Sequence, residues 1–277
     1  MDMKPYLPIG GDKSEKIKEG DYVGDDGLWH CGKCHGALQK KIKSDFFSGT
    51  VWCICKCEVQ KQEERKKREM YEEEMNRIRR LKDASMMSDK YKNASFSDYV
   101  VRKENEKALR VARKYVQDFQ RMKEENIGII FYGTVGTGKS FTAACIANAL
   151  LENKVSVIMT SFVKILQDIR SIEDEGQYIN TLNSSSLLII DDLGAERDTD
   201  YALEKVYNVI DSRVRINKPL ILTTNLTFDE MMRTKDIRYK RIYDRIFECC
   251  HPVEIPGPSF RIMKAAQRQE AMKQIFE

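Results

Sequence analysis

Four short apolar runs, separated by amphipathic stretches, set the frame of the chain. Residues 127–132 (IGIIFY), 155–160 (VSVIMT), 184–190 (SSSLLII) and 219–224 (PLILTT) are nearly continuous in apolar and β-branched side chains, as in strands buried on both faces. Between them apolar positions recur at helical spacing. On residues 103–126, Ala108, Ala112, Tyr115, Val116 and Phe119 share one helical face, and Phe162, Ile165, Leu166 and Ile169 do the same after the second run. Strand and helix alternate through Leu226, which predicts a three-layer α/β fold built on a parallel sheet. Farther on, residues 228–248 and 259–276 have helical patterns. Residues 251–258 (HPVEIPGP) predict a loop, since their prolines forbid a continuous helix.

The amino-terminal third lacks this alternation. Residues 58–80 hold fifteen charged side chains in twenty-three, eight basic and seven acidic. Glu63 with Lys67, Glu64 with Arg68 and Glu73 with Arg77 are spaced for i,i+4 pairing, so the stretch predicts a solvated helical connector, with a disordered linker as the alternative. Its balanced charge speaks against a dedicated DNA-binding tail, and residues 82–89 (KDASMMSD) predict a helix break. The expected organisation is therefore a small module over residues 1–60, a helical or flexible linker over 61–90 and an α/β domain over 91–277.

Chemistry enters at the end of the first apolar run. Gly133, Thr134, Val135, Gly136, Thr137, Gly138, Lys139 and Ser140 complete the pattern GxxxxGKS, with a strand pattern before it and a small-residue helical pattern, residues 141–150 (FTAACIANAL), after it. Glycines at 133, 136 and 138 let successive backbone N–H groups face an anion, and the following helix adds the positive end of its dipole. Lys139 is placed for the outer phosphates of a nucleoside triphosphate and the Ser140 hydroxyl for Mg²⁺. ATP or ADP is the expected ligand.

The third apolar run delivers Asp191 and Asp192 at its carboxyl end, where ligands sit in open α/β sheets. Asp191 is the expected partner of Mg²⁺, direct or through water. Asp192 is placed to orient or deprotonate an attacking water, a task more often given to Glu. The fourth run ends in Asn225, whose amide can hold the water or the γ-phosphate. Downstream, Arg241, Arg245 and Arg261 are candidate phosphate partners, because guanidinium stays charged and pairs with phosphate in two places. Each is also an ordinary exposed arginine.

Five of the eight cysteines fall within residues 31–57: Cys31 and Cys34 as a CxxC turn, then Cys53, Cys55 and Cys57. Four thiolates satisfy the tetrahedral preference of Zn²⁺ and can close a module with too few apolar residues to hold itself. Disulfides are disfavoured, since no signal peptide precedes the cysteines, and a sulfur-only site is usually closed and therefore structural rather than catalytic. Which of the late three is the non-ligand stays open from spacing alone. His30 and His35 flank the first pair as exposed neighbours, Cys145 reads as core, and Cys249 and Cys250 have no nearby partner pair.

With no run of about 18 apolar residues to span a membrane, the expectation is a cytoplasmic chain. The net charge of +4 permits nucleic-acid contact without demanding it.

Taken in order, residues 93–99 (NASFSDY), the phosphate loop, 187–196 (LLIIDDLGAE), 222–226 (LTTNL), 241–245 (RIYDR) and 259–261 (SFR) resemble the AAA+ ATPases of the DnaC/DnaI helicase-loader group, with the IstB transposition helpers as relatives. The resemblance covers roughly residues 90–275. It implies a P-loop AAA+ sheet without a large helical lid, ATP hydrolysis, and self-association through the ATPase domain. Asn225 is implied as first sensor, Arg261 as second sensor, and Arg245 as the finger completing a neighbouring subunit's site. The ending Cys55, Lys56, Cys57, Glu58 favours Cys31, Cys34, Cys55 and Cys57 as zinc ligands, with Cys53 the alternative. The implied function is loading of a replicative hexameric helicase onto single-stranded DNA, with the amino-terminal module gripping the helicase. Phe162 and Lys164 are then candidate DNA contacts, although the helical spacing of Phe162 suits core packing. Two alternatives stand beside loading: an IstB-like helper of DNA transposition, and a nucleotide-dependent scaffold that scarcely hydrolyses.

Overall fold

In the computed structural model, which describes residues 17–195 and 199–276, the chain divides between Asn76 and Arg77 into two units. The first is made of two hairpin-like pairs. β1 (Tyr22–Val23) runs antiparallel to β2 (Trp29–His30), and β3 (Gln39–Ser44) to β4 (Phe47–Trp52). Among the described residues their buried apolar set is Cys31, Leu38 and Cys55, flanked by Trp29, Cys34, Trp52 and Cys57. So small a core does not offset the entropy of ordering about forty residues. The charged stretch forms one continuous helix, α1 (Lys56–Ala84), with no buried residue.

The second unit carries the alternating elements: α2 (Glu106–Gln117), α3 (Phe119–Glu124), β5 (Gly128–Tyr132), α4 (Lys139–Glu152), β6 (Val157–Ser161), α5 (Phe162–Ser171), α6 (Glu175–Ser184), β7 (Leu187–Leu193), α7 (Asp200–Arg215), β8 (Leu220–Thr224), α8 (Phe228–Met232), α9 (Ile237–Cys249), β9 (Cys250–Glu254) and α10 (Phe260–Phe276). The five strands form one sheet in the order β6-β7-β8-β5-β9, every pair parallel.

Strand periodicity sorts the core. Ile129, Phe131, Val157, Met159, Leu187, Ile189, Ile221 and Val253 pack on one face with Ala108, Ala112 and Tyr115 of α2 and the small residues of α4. Their neighbours Ile130, Ile158, Leu188, Ile190, Leu220 and Leu222 pack on the other with α5, α7 and α9. Successive side chains of a strand point to opposite faces, and both faces here are covered, which is why the runs are apolar throughout instead of alternating. Parallel strands also gather all their carboxyl ends at one edge, where the phosphate loop and the two aspartates meet.

Two expectations are corrected. The helix expected over residues 103–126 is broken at Asp118 into α2 and α3, yet Ala108, Ala112, Tyr115 and Phe119 are buried as the pattern required. Residues 251–258 are not all loop: β9 pairs with β5 along the sheet edge, with Pro252 opposite Ile130. The prolines ruled out helix but not an edge strand, where a residue without an N–H is tolerated if that side faces away from the ladder. No helix among the described residues is long and apolar enough to cross a membrane.

Candidate nucleotide and metal sites

The phosphate loop turns where glycine alone fits. Gly133 has φ of +136°, and a Cβ there would stand 2.7 Å from Ile255 O; Gly136 has φ of +85°, and its Cβ would collide with Ser259 Oγ. A side chain at either position would therefore meet the loop's own cover as well as an unfavourable backbone region. Lys139 opens α4, only 5% exposed, with Nζ donating to Gly133 O at 2.9 Å and Thr134 O at 2.8 Å. Burial pulls the Lys139 pKa down, while Asp192 and Asp191 act in the opposite direction. Ser140 is buried next to it.

A hydroxyl on the neighbouring strand fixes the two aspartates. Thr223 Oγ1 donates to Asp191 Oδ1 at 2.6 Å and accepts from the Asp192 backbone N–H at 3.0 Å. Burial pushes the Asp191 carboxyl above its ordinary value, opposed by the hydrogen bonds from Thr223 and Ser140. The pairing of β7 with β8 slips between Ile190 and Leu193, and Asp192 sits at that irregularity with φ of +55°. Asp tolerates the left-handed region better than most side chains, because its short carboxylate can bond locally. The backbone thus supplies a physical reason for Asp where Glu is commoner.

Asn225 stands exposed one residue past β8, held by a turn in which Thr224 Oγ1 donates to Leu193 O at 2.8 Å. Residues 255–260 fold over the phosphate loop, with Ile255 N donating to Tyr132 O and Phe260 N to Gly136 O, both at 2.9 Å. That contact brings Arg261 near Lys139, whose pKa it lowers. Arg245 lies elsewhere, on α9. Its Nε pairs with Asp211 Oδ1 at 2.9 Å and its Nη1 with Glu248 Oε2 at 2.8 Å, so within one chain it ties α9 to α7. Arg241, one turn earlier, lies 4.7 Å from the centre of the Tyr207 ring.

Cys31, Cys34, Cys55 and Cys57 converge, their Sγ atoms all within 4.8 Å of one another. Four sulfurs held ~2.3 Å from one ion stand about 3.8 Å apart, so the set fits a tetrahedral Zn²⁺. Backbone N–H groups of Cys57 and Gly36 bond to Cys34 and lower its thiol pKa to about 6, and those of Cys34 and Lys33 lower that of Cys31. The other two go the opposite way, Cys57 pushed up to about 12 by its hydrogen bonds to Cys55 and Cys31 and Cys55 pushed up by burial, so it is the convergence of the four sulfurs, not their acidity, that fits a metal. Cys53 stays outside, its Sγ donating to Ala37 O at 3.2 Å.

Phe162 is 0% exposed inside α5, which removes it as a stacking surface; Lys164 is exposed and paired with Asp168 at 2.6 Å. The helical spacing had marked Phe162 as core, and packing decides for that. A cavity of about 550 Å³ between α8, α9 and β9 is lined by Phe228, Met231, Tyr243, Phe247 and Pro252 among others, and by no residue of the phosphate loop. Two residues escaped sequence reasoning. Thr223 lies unmarked within its apolar run, and Arg213, likewise unmarked, is fully buried with its guanidinium on the carbonyls of Asn183, Ser185, Ser186 and Pro219. The one signal for Arg213 was its position a helical repeat from Val206, Val209 and Ile210.

Residues 61–269, well over half of the 277, match the family described as IstB-like ATP binding protein. The chain belongs to this family. Among curated proteins the chain is similar to the replicative helicase loader DnaC of Escherichia coli (strain K12), 32% identical over 163 residues, which are 56% of this chain and 64% of that one. This chain thus spans less than two thirds of that relative's length. Among solved structures, the IstB-like fold superposes on DnaI with a TM-score of 0.53 at 24% identity, covering 62% of this chain and 93% of the other. The DnaC helicase loader gives 0.50 at 24% identity over 61% of this chain and 100% of the other. At that identity the likeness is one of fold, a parallel α/β sheet with the phosphate loop after its first strand.

Proposed function

We propose that this chain is an ATP-dependent DNA replication protein that loads a replicative hexameric helicase onto single-stranded DNA. The observation that carries the reading is its 32% identity with a replicative helicase loader over 163 residues. In this reading residues 91–277 are the ATPase, residues 61–90 the connector and residues 1–60 the module that grips the helicase. The backbone of residues 133–140 cradles the phosphates, and Lys139 exchanges its two carbonyl partners for phosphate oxygens. Ser140 and Asp191 would hold Mg²⁺, which would supply positive charge toward the phosphates. Asp192 and Asn225 orient the attacking water, Arg261 reaches the phosphates from above the loop, and Arg245 acts on a neighbouring subunit's ATP. Cys31, Cys34, Cys55 and Cys57 hold a structural Zn²⁺, which supplies folding energy.

The test is delivery of the cognate hexameric helicase to a protein-coated single strand. Intact chain with ATP should deliver it, and Lys139→Ala, which removes a point charge from the phosphates, should bind ATP at least tenfold more weakly and deliver none. Delivery by the folded variant at the intact rate would overturn the ATP dependence. Association with a transposase and with no helicase would move the choice to the transposition helper.

A further inference from the structure

At its carboxyl end β7 holds one residue more than the strand beside it. Ile190 stands opposite Leu222 and Leu193 opposite Thr224, so Asp191 and Asp192 together face the single residue Thr223. Two residues against one make a β-bulge, a form rare between parallel strands and common beside sites where a side chain must be re-aimed. Asp192, with φ of +55°, is where the strand departs from extended backbone.

The bulge answers a problem of direction. Successive side chains of a regular strand point to opposite faces. Asp191 continues the side of Leu187 and Ile189, which pack with the small residues of α4, the helix that Lys139 and Ser140 open. In an unbroken strand Asp192 would continue the side of Leu188 and Ile190 and turn toward α5, α7 and α9. Instead both carboxylates lie close enough to Lys139 to oppose the lowering of its pKa by burial.

One hydroxyl closes the gap that the extra residue opens. An inserted residue is left out of the ladder, and here Thr223 Oγ1 accepts from the Asp192 N–H at 3.0 Å while donating to Asp191 Oδ1 at 2.6 Å. Both bonds are made by a side chain that is itself 0% exposed. Thr224 Oγ1 donates to Leu193 O at 2.8 Å, so the two strands are tied again directly past the bulge. Without the Thr223 hydroxyl the Asp192 N–H loses its partner, and a slip of one residue to a regular ladder would send the Asp192 side chain to the far face.

We propose that Thr223 is a positioning residue of the nucleotide site: by pinning the bulge it turns the carboxylates of two consecutive residues toward the phosphate loop, Asp191 for Mg²⁺ and Asp192 for the attacking water. This inference rests on the ATPase part of the proposed function and not on helicase loading.

The experiment compares the full chain with Thr223→Val, which keeps the shape and loses the hydroxyl, and Thr223→Ser, which keeps the hydroxyl and loses a methyl. Three quantities are read: kcat for ATP at saturating Mg²⁺, the gain in affinity for a fluorescent ATP analogue on adding Mg²⁺, and hydrogen exchange at the Asp192 amide. Thr223→Val should lower kcat about thirtyfold or more, as expected for losing a hydrogen bond to a charged group. It should also cut the Mg²⁺ gain about fivefold or more and speed Asp192 exchange about tenfold or more. Thr223→Ser should recover most of all three, whereas a packing role would make serine the more damaging change. In a Thr223→Val chain shown to be folded by circular dichroism, kcat and Mg²⁺ gain within about threefold of the unaltered values, or unchanged Asp192 exchange, would overturn the proposal. Equal losses in the serine and valine variants would overturn it too, by assigning Thr223 to packing. If the valine variant does not fold, exchange in the unaltered chain decides: an Asp192 amide exchanging as freely as a solvated one means that the bulge is not pinned. If the unaltered chain hydrolyses no ATP, the ATPase reading fails on its own, and the Mg²⁺ gain and Asp192 exchange still support or overturn the role of Thr223.

Discussion

Asp191 shows how a single residue sets function against stability. Its carboxyl is buried, accepts from Thr223 Oγ1 at 2.6 Å and has its pKa pushed up by burial. The folded chain therefore holds this proton more tightly than the unfolded chain does. The stability so contributed is complete below the carboxyl's ordinary value and is lost as pH rises through the raised one, so at neutral pH the ionised group is a net cost. Asp191→Asn keeps an acceptor for Thr223 and removes the charge. It should raise stability at pH 7 by about 1 kcal/mol, or about 3 °C in Tm for a domain of this size, and the gain should shrink as pH falls through the Asp191 titration. The same variant should lose Mg²⁺-dependent ATP binding. Differential scanning calorimetry at pH 4 to 8 with nucleotide titration checks both, and an equal or lower Tm at pH 7 would refute the burial argument. What the sequence offered was the pair of aspartates at a strand end. The hydroxyl that holds them lies on another strand, at a separation no local pattern encodes.

At the scale of elements, Arg213 joins parts that the chain leaves far apart. From near the end of α7 its guanidinium donates to carbonyls at the end of α6, the start of β7 and the start of β8, and burial lowers its pKa to about 10. No acid shares in this; backbone oxygens alone satisfy the cation. Removing the fork takes a donor from four carbonyls, of which Asn183 O keeps Lys218 Nζ at 2.8 Å and Pro219 O keeps the Leu188 N–H at 3.4 Å, so Arg213→Met, which preserves the stem, should destabilise the second unit by about 3 kcal/mol, or about 10 °C in Tm, chiefly through Ser185 O and Ser186 O. Denaturant unfolding monitored on the intact chain checks this, and a change below 1 kcal/mol would mean that water replaces the guanidinium. Four of the five sheet strands were legible because both of their faces are buried, giving apolar runs of strand length. β9 was not, since Pro252 and His251 interrupt the pattern and an edge strand needs only one neighbour. The helix break at Asp118 was missed for a related reason: the buried face continues through Phe119, and periodicity registers that face rather than one residue whose ψ of 21° leaves the helix.

For the whole molecule, the two units differ in what stabilises them. The second has apolar clusters on both faces of its sheet; among its described residues the first has a core of three and a four-sulfur cluster. Chelation under reducing conditions should therefore unfold the first unit while ATP binding persists, with one Zn²⁺ released per chain, and loss of ATP binding on chelation would show that the units are not independent. Assembly is the remaining question at this scale, and Arg245 poses it sharply. Its guanidinium is held by Asp211 and Glu248 within the chain, so acting on a neighbour's ATP requires those carboxylates to be exchanged for phosphate. The Glu248 pair is exposed, where such a bond is worth little, and the buried Asp211 keeps Arg215 Nε at 2.7 Å, so the exchange strands no buried carboxylate and is open to a phosphate's larger charge. If Arg245 acts across a subunit boundary, Arg245→Ala should still bind ATP and lose turnover by about a hundredfold or more. Lys139→Ala should be inactive for the opposite reason, an empty cradle beside an intact Arg245. Mixed in equal amounts, the two variants create interfaces in which an intact cradle from one meets an intact Arg245 from the other, about a quarter of all interfaces if assembly is random. Turnover should then recover to about a quarter of that of the unaltered protein and fall on dilution. A mixture no more active than its parts would mean that Arg245 serves only to tie α9 to α7.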